Sequence, residues 1–169
     1  MTELMVMGNN DWYRNKNWDD QIESAFRARL KRSRGDYYFK RDRLDQAYEY
    51  YKKAIVLDAN HTHDQSHAIL GYIKSAVLLK QQQDYTYCES LLEKVGEPVF
   101  PAQAYDLYLT FAMLYDAMGC AEAAKQYAAT ALKASEQSSP FVRKGITLGK
   151  ASVAEREFSF LTAIITLEK

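Results

Sequence analysis

The stretch YDLYLTFAMLYDAMGCAEAAKQYAATALKAS, residues 105–135, decides the architecture. Tyr108, Phe111, Ala112 and Tyr115 share one helical face, and a turn follows at AMGCAEAA. Ala124, Ala128 and Ala131 then lay small residues along one face of a second helix. A small residue in such a place lets the neighbouring helix come close, while the aromatic fills the space beside it. The stretch therefore reads as a helix–turn–helix pair.

The same offsets return upstream. In AYEYYKKAIVLDANH, residues 47–61, the stripe is Ala47, Tyr51, Ala54 and Leu57; in QQDYTYCESLLEKVGE, residues 82–97, it is Cys88, Leu92 and Val95. Tyr72, Ser75, Ala76 and Leu79 stand before Cys88 as Tyr108, Phe111, Ala112 and Tyr115 stand before Ala124. Units begin near residues 28, 69 and 105, and self-similarity of this kind marks a helical-repeat array.

At these residues the chain resembles the tetratricopeptide repeat (TPR) family. Tyr108, Ala112, Tyr115, Gly119, Ala124 and Ala131 fall on the family's signature places, and the resemblance runs from about residue 28 to about 136. It departs in two respects. Ala59, Phe100 and Glu136 stand where a unit usually closes on proline. The first unit carries Lys31, Arg34 and Gly35 where aromatic, apolar and small residues are usual, and its apolar stripe reads Ile22, Phe26, Leu30 and Tyr37 in another register. The resemblance implies an all-α fold, an α-solenoid of about three TPR-like helix pairs over residues 19–136.

The flanks fit the ends of such an array. Residues 1–18 hold both tryptophans, Trp12 and Trp18, read as a lid, with Asn17 or Asp19 capping the first helix. Residues 137–169 read as a C-terminal capping helix with stripes Val142, Ile146, Gly149, Val153 and Ala154, Phe158, Leu161, Ile165. The apolar tail could instead be a surface for a homodimer.

Composition narrows the function classes. Apolar residues make up 47% of the 169 residues and charged residues 26%, a globular balance. Lys plus Arg and Asp plus Glu both number 22, so no net field draws the protein to nucleic acid or to a membrane. No apolar run is long enough to span a membrane, and the start MTELMVMGNN does not read as a signal peptide. Cys88 and Cys120 suit reduced thiols and a cytoplasmic location.

Chemistry has three candidate seats. His61, His63 and His67 lie close in HTHDQSH, and His63 with His67 at i, i+4 is a zinc- or nickel-binding geometry, though the acidic or thiolate partners of a closed site are missing. Neither Cys88 nor Cys120 stands beside a histidine, and no nucleophile elbow or phosphate-binding glycine loop is present, so no cofactor and no catalysis are expected. The run RARLKRSRGDYYFKRDR, residues 27–43, puts Arg27, Lys31, Arg34 and Arg41 beside Tyr38 and Phe39. It reads first as a solvated face partly answered by Asp36 and Asp42; it could bind nucleic acid by stacking and charge, but an acidic protein surface suits it better than RNA.

In TPR proteins the front helices line a concave groove. Carried over by the resemblance, that groove is Arg29, Arg32, Asp36, Phe39 and Lys40, then Leu70, Ile73, Val77, Lys80 and Gln81, then Asp106, Leu109, Met113, Asp116 and Ala117. It is basic at one end, apolar in the middle and acidic at the other, unless the closing helix fills it. The expectation is a non-enzymatic protein-binding module, an immunity or inhibitor protein covering a toxin. The alternative is a secretion-type chaperone or adaptor holding a client segment, and a nucleic-acid-binding regulator stands behind both.

Overall fold

The computed structural model describes residues 16–57, 63–137, 160, 161 and 163–165, with the side chains at 16–19, 21, 63 and 64 outside the description. Every regular element among the described residues is helical: α1 (Lys16–Phe39), α2 (Leu44–Leu57), α3 (His63–Leu78), a 3-10 turn (Gln82–Asp84), α4 (Tyr85–Leu92), α5 (Pro101–Ala117) and α6 (Ala121–Gln137). None of these helices is long and apolar enough to cross a membrane. Sequence neighbours pack in pairs, α1 on α2, α3 on α4 and α5 on α6. Helix α3 also touches α1, α2 and α5. That central place explains why Ala68, Ile69, Leu70, Tyr72, Ile73, Ser75 and Ala76 are buried nearly all round it.

The small-residue stripes lie where close approach is needed. Ala47, Ala54, Cys88, Ala124, Ala128 and Ala131 are all buried. The first and third pairs turn alike. In one, Asp42 N–H donates to the Phe39 carbonyl, Arg43 to Tyr38 and Ala47 to Arg43; in the other, Gly119 donates to Asp116, Cys120 to Tyr115 and Ala124 to Cys120. Asp42 and Gly119 hold the matching left-handed position, at φ of 59° and 80°. Above each turn two tyrosines stack, Tyr38 on Tyr50 at 5.4 Å and 12°, and Tyr115 on Tyr127 at 5.6 Å and 10°. The middle pair closes its first helix in the same way, with Lys80 left-handed at φ 59° and donating to Val77 while Gln81 donates to Ala76, and differs in the 3-10 turn that follows before α4.

One contact sets how α1, α2 and α3 fit. The buried Tyr51 ring of α2 lies between Gly35 of α1 and Gly71 of α3. A Cβ on Gly35 would come within 2.7 Å of the ring, and one on Gly71 closer still. Its hydroxyl donates to Asp36 Oδ1 at 2.7 Å, and burial, then the Asp36 charge, push its pKa far above the tyrosine range, so it stays protonated. At the far end of the same pair the Ser24 hydroxyl donates to the Leu57 carbonyl. Tyr48 joins α2 to the middle pair, donating to Asp84 Oδ2 at 2.5 Å and stacking on Tyr72 at 4.9 Å.

Four expectations are corrected. Helix α1 starts at Lys16, so Asn17 and Asp19 are inside it rather than capping it. Helix α4 ends at Leu92, because the chain runs through Gly96 and Pro98 before Pro101 opens α5, and Val95 falls in that loop. The stripe Ile22, Phe26, Leu30 and Tyr37 is not part of the core, and Tyr37 touches Tyr38 and the covering Arg41. The stripe faces solvent, opposite the buried Ala28 and Gly35, since Tyr51 supplies the bulk at this seam and α1 has to supply a hollow. Near the C-terminus Leu161 is buried with Ile164 rather than with Ile165. The lid tryptophan Trp12, the side chain of Trp18 and the stripe from Val142 to Phe158 lie outside the described residues.

Candidate functional site

Helices α1, α3 and α5 lie side by side, and charged groups cross them. On α1, Arg32 approaches Asp36 at 3.8 Å, with Asp36 also accepting from Tyr51. Between α3 and α5, the Lys74 ammonium bonds Asp106 Oδ1. Lys74 is buried and Asp106 half-buried, so this pair is shielded on one side and wet on the other. Beside it opens a cavity of about 350 Å³. The early end of α4 shapes it: the loop from Val95 to Val99 takes the place of a longer helix and walls a hollow against α3 and α5. Leu70, Val95, Pro98, Val99 and Leu107 wall it, while Ser66, His67, Glu97, Gln103 and Asp106 supply polar groups. Gln103 is held in place, accepting from the Val99 and Phe100 N–H groups at 3.1 and 3.4 Å and so closing the start of α5.

The residues expected to line an open groove divide sharply. Asp106 and Leu70 line the cavity, and Arg32 lies half-buried on α1 beside Asp36. Arg29, Lys40, Lys80 and Asp116 are exposed, Val77, Gln81 and Ala117 are half-buried, and Phe39 packs edge-on against Tyr51 at 6.4 Å. Ile73, Leu109 and Met113 are core residues in this structure. Ile73 lies among α2, α3 and α4 side chains, and Leu109 and Met113 share a cluster with Leu161 and Ile164. Lys74, the Tyr51 hydroxyl and the loop wall from Val95 to Val99 were not foreseen. The signal for the last was present in the sequence as Gly96, Pro98 and Pro101, a loop marker inside what reads as a longer helix.

The other candidate seats look different in three dimensions. His67 lies on the cavity wall, while His61 and the side chain of His63 are outside the described residues, among which no group of three metal-ligating residues gathers. The aromatics of the basic run are engaged within the chain. Tyr38 stacks on Tyr50, around which Lys31, Arg34 and Lys53 gather at 5.7–5.9 Å, and Arg41 covers Tyr37 at 3.6 Å. Cys120 is exposed at the last turn, whereas Cys88 is buried.

Burial, with Asp84 nearby, pushes the Cys88 thiol from 9.0 up to about 12. Burial and the 3.1 Å hydrogen bond to Glu89 push Tyr115 from 10.0 up to about 12. A raised pKa means the folded state holds the proton longer than the unfolded chain does. The associated stability is complete below the ordinary thiol value and lost as pH climbs toward about 12. Urea midpoints should therefore fall between about pH 8 and about pH 10.5, and Cys88→Ala should flatten part of that fall.

No protein-family model, no curated protein and no solved structure matches this chain.

Proposed function

We propose that this chain is a protein-binding module built as a short α-solenoid of TPR-like helix pairs, and that its partner docks on the face formed by α1, α3 and α5. The repeated turn hydrogen bonds and tyrosine stacks of the first and third pairs support the repeat reading. The observation that carries the binding reading is the cavity of about 350 Å³ between α3 and α5. It is apolar in its walls and charged at its edge, the make-up of a site that accepts one anchoring side chain and orients it by hydrogen bonds. Glu97, exposed at the rim, favours a partner segment with a basic residue beside its apolar anchor, since Asp106 is already paired with Lys74. Arg32 and Asp36, farther along the face, fix its direction. A protein of this kind acts by occupying its partner, as an immunity or inhibitor protein covering a toxin does; a secretion chaperone holding a client is the second role that fits.

The test fills the cavity without touching the core. Ser66 is only half-buried on its wall, so Ser66→Phe should leave the melting temperature within about 2 °C. The affinity for a partner captured by the wild-type protein should fall at least about tenfold, by loss of an anchor pocket. A captured toxin would favour the inhibitor role and a secreted client the chaperone role. Unchanged affinity in a folded Ser66→Phe protein removes the cavity from the binding site.

A further inference from the structure

Helix α1 packs with the wrong face for its hydrophobicity. Ile22, Phe26, Leu30 and Tyr37 are 56%, 62%, 49% and 51% exposed and form one row, while the face toward α2 and α3 holds Ala28 and Gly35. A surface helix with a packed face normally leaves its polar side outward, and a continuous outward row of large apolar side chains marks a contact surface. The row also has an edge with a definite charge order. Asp20, Glu23, Arg27 and Arg34 follow one another at spacings of three, four and seven, so all four flank the row on the same side. That edge is acidic in its first half and basic in its second. Asp20 and Glu23 are exposed, and the Glu23–Arg27 pair, at 2.5 Å, is open to water on both partners.

We propose that the partner of this row is the α1 helix of a second copy, laid antiparallel across a two-fold axis. In a two-fold antiparallel pair an edge meets its own inverted copy. The acidic half then faces the basic half, with Glu23 opposite Arg34 of the other chain and the Phe26 and Leu30 side chains of both chains interdigitating at the crossing. In a parallel pair this edge would instead meet the opposite edge of the row, where Ala25 and Arg29 stand, and its acidic-to-basic order would find no inverted counterpart. The inverted second copy therefore matches this edge's charges in both of its halves, which a purely apolar partner would not. This contact lies on the side of α1 away from α3, so it leaves the cavity between α3 and α5 open and is independent of the function proposed above.

Sedimentation velocity of the full chain tests it. One helix from each chain makes a contact at the low end of specific interfaces, below about 1,200 Å², so the series should extend to about 200 µM. The wild-type mass should climb from one chain to two across it. Phe26 touches no core, so Phe26→Asp should keep helicity and melting temperature yet remain a monomer throughout. Glu23→Arg should weaken the dimer about tenfold, and adding Arg34→Glu should restore it, a reciprocity that damage to the fold would not produce. A wild-type protein that stays monomeric throughout overturns the proposal. So does a dimer that Phe26→Asp leaves intact, or a charge swap that fails to rescue.

Discussion

Gly71→Ala is expected to destabilise the protein by about 2–3 kcal/mol, the cost of forcing extra volume into a filled core. At this size that lowers the melting temperature by about 5–10 °C. Two effects compete. Glycine inside a helix is about 1 kcal/mol worse than alanine, so intrinsic propensity alone makes the substitution stabilising. Packing opposes it, because the new methyl group would meet the Tyr51 ring, which Gly35 confines on its other side and Asp36 holds by the hydroxyl. The ring cannot swing aside without breaking that bond, so packing outweighs propensity and the sign reverses. Gly35→Ala should behave the same way. Gly96→Ala, with no atom within 4 Å of the added methyl, should be near neutral. Tyr51→Leu alone should also destabilise, but with Gly71→Ala it should cost at least about 1 kcal/mol less than the two changes summed. Thermal melts of the wild type and these five variants decide it. A Gly71→Ala protein more stable than wild type would mean that the ring does not sit between the two glycines.

That same seam shows how far the sequence could be read. The small stripes at Ala47, Ala54, Ala124, Ala128 and Ala131 and the turn at Gly119 were legible, because close approach and a left-handed φ each demand a particular residue type. The orientation of α1 was not. A reading that follows apolar side chains puts Ile22, Phe26, Leu30 and Tyr37 inward, but what α1 contributes to its partners is a hollow, and a hollow leaves no hydrophobic signal. Gly35 at the small-residue place of the repeat was the available clue. Of the residues singled out in the sequence, Leu70, Asp106 and His67 line the cavity. Positions counted from repeat spacing alone make Ile73, Leu109 and Met113 look like surface, because spacing within one pair says nothing of what a distant segment brings to it. The cavity depends on where α4 stops, which the glycine and prolines after Leu92 announce but which the longer apolar stripe conceals.

The distant segment supplies the second large effect. Leu161 is fully buried in a cluster with Tyr105, Leu109, Met113 and Ile164, joining the C-terminal region to α5 and α6. Truncating a leucine in such a place costs about 2–5 kcal/mol. A carboxylate there cannot stay buried unpaired, so Leu161→Asp should force the segment off its seat rather than merely loosen it. The released surface includes Leu109 and Met113, so an apolar dye should bind more strongly, and amide exchange should quicken along α5 and α6 before α1 and α2. Leu161→Met keeps the volume and should cost under about 1.5 kcal/mol. Ile165→Asp, at a position already more than a third exposed, should cost under about 0.5 kcal/mol, as exposed changes do. A silent Leu161→Asp would mean that the segment is not seated there and that Leu109 and Met113 are open to a partner after all. If the segment does leave, partner affinity separates two arrangements on the α1, α3 and α5 face. Tighter binding means that the segment and the partner compete for the surface around Met113. Unchanged binding confines the partner to the cavity beside Lys74 and Asp106, where Leu161 makes no part of the wall.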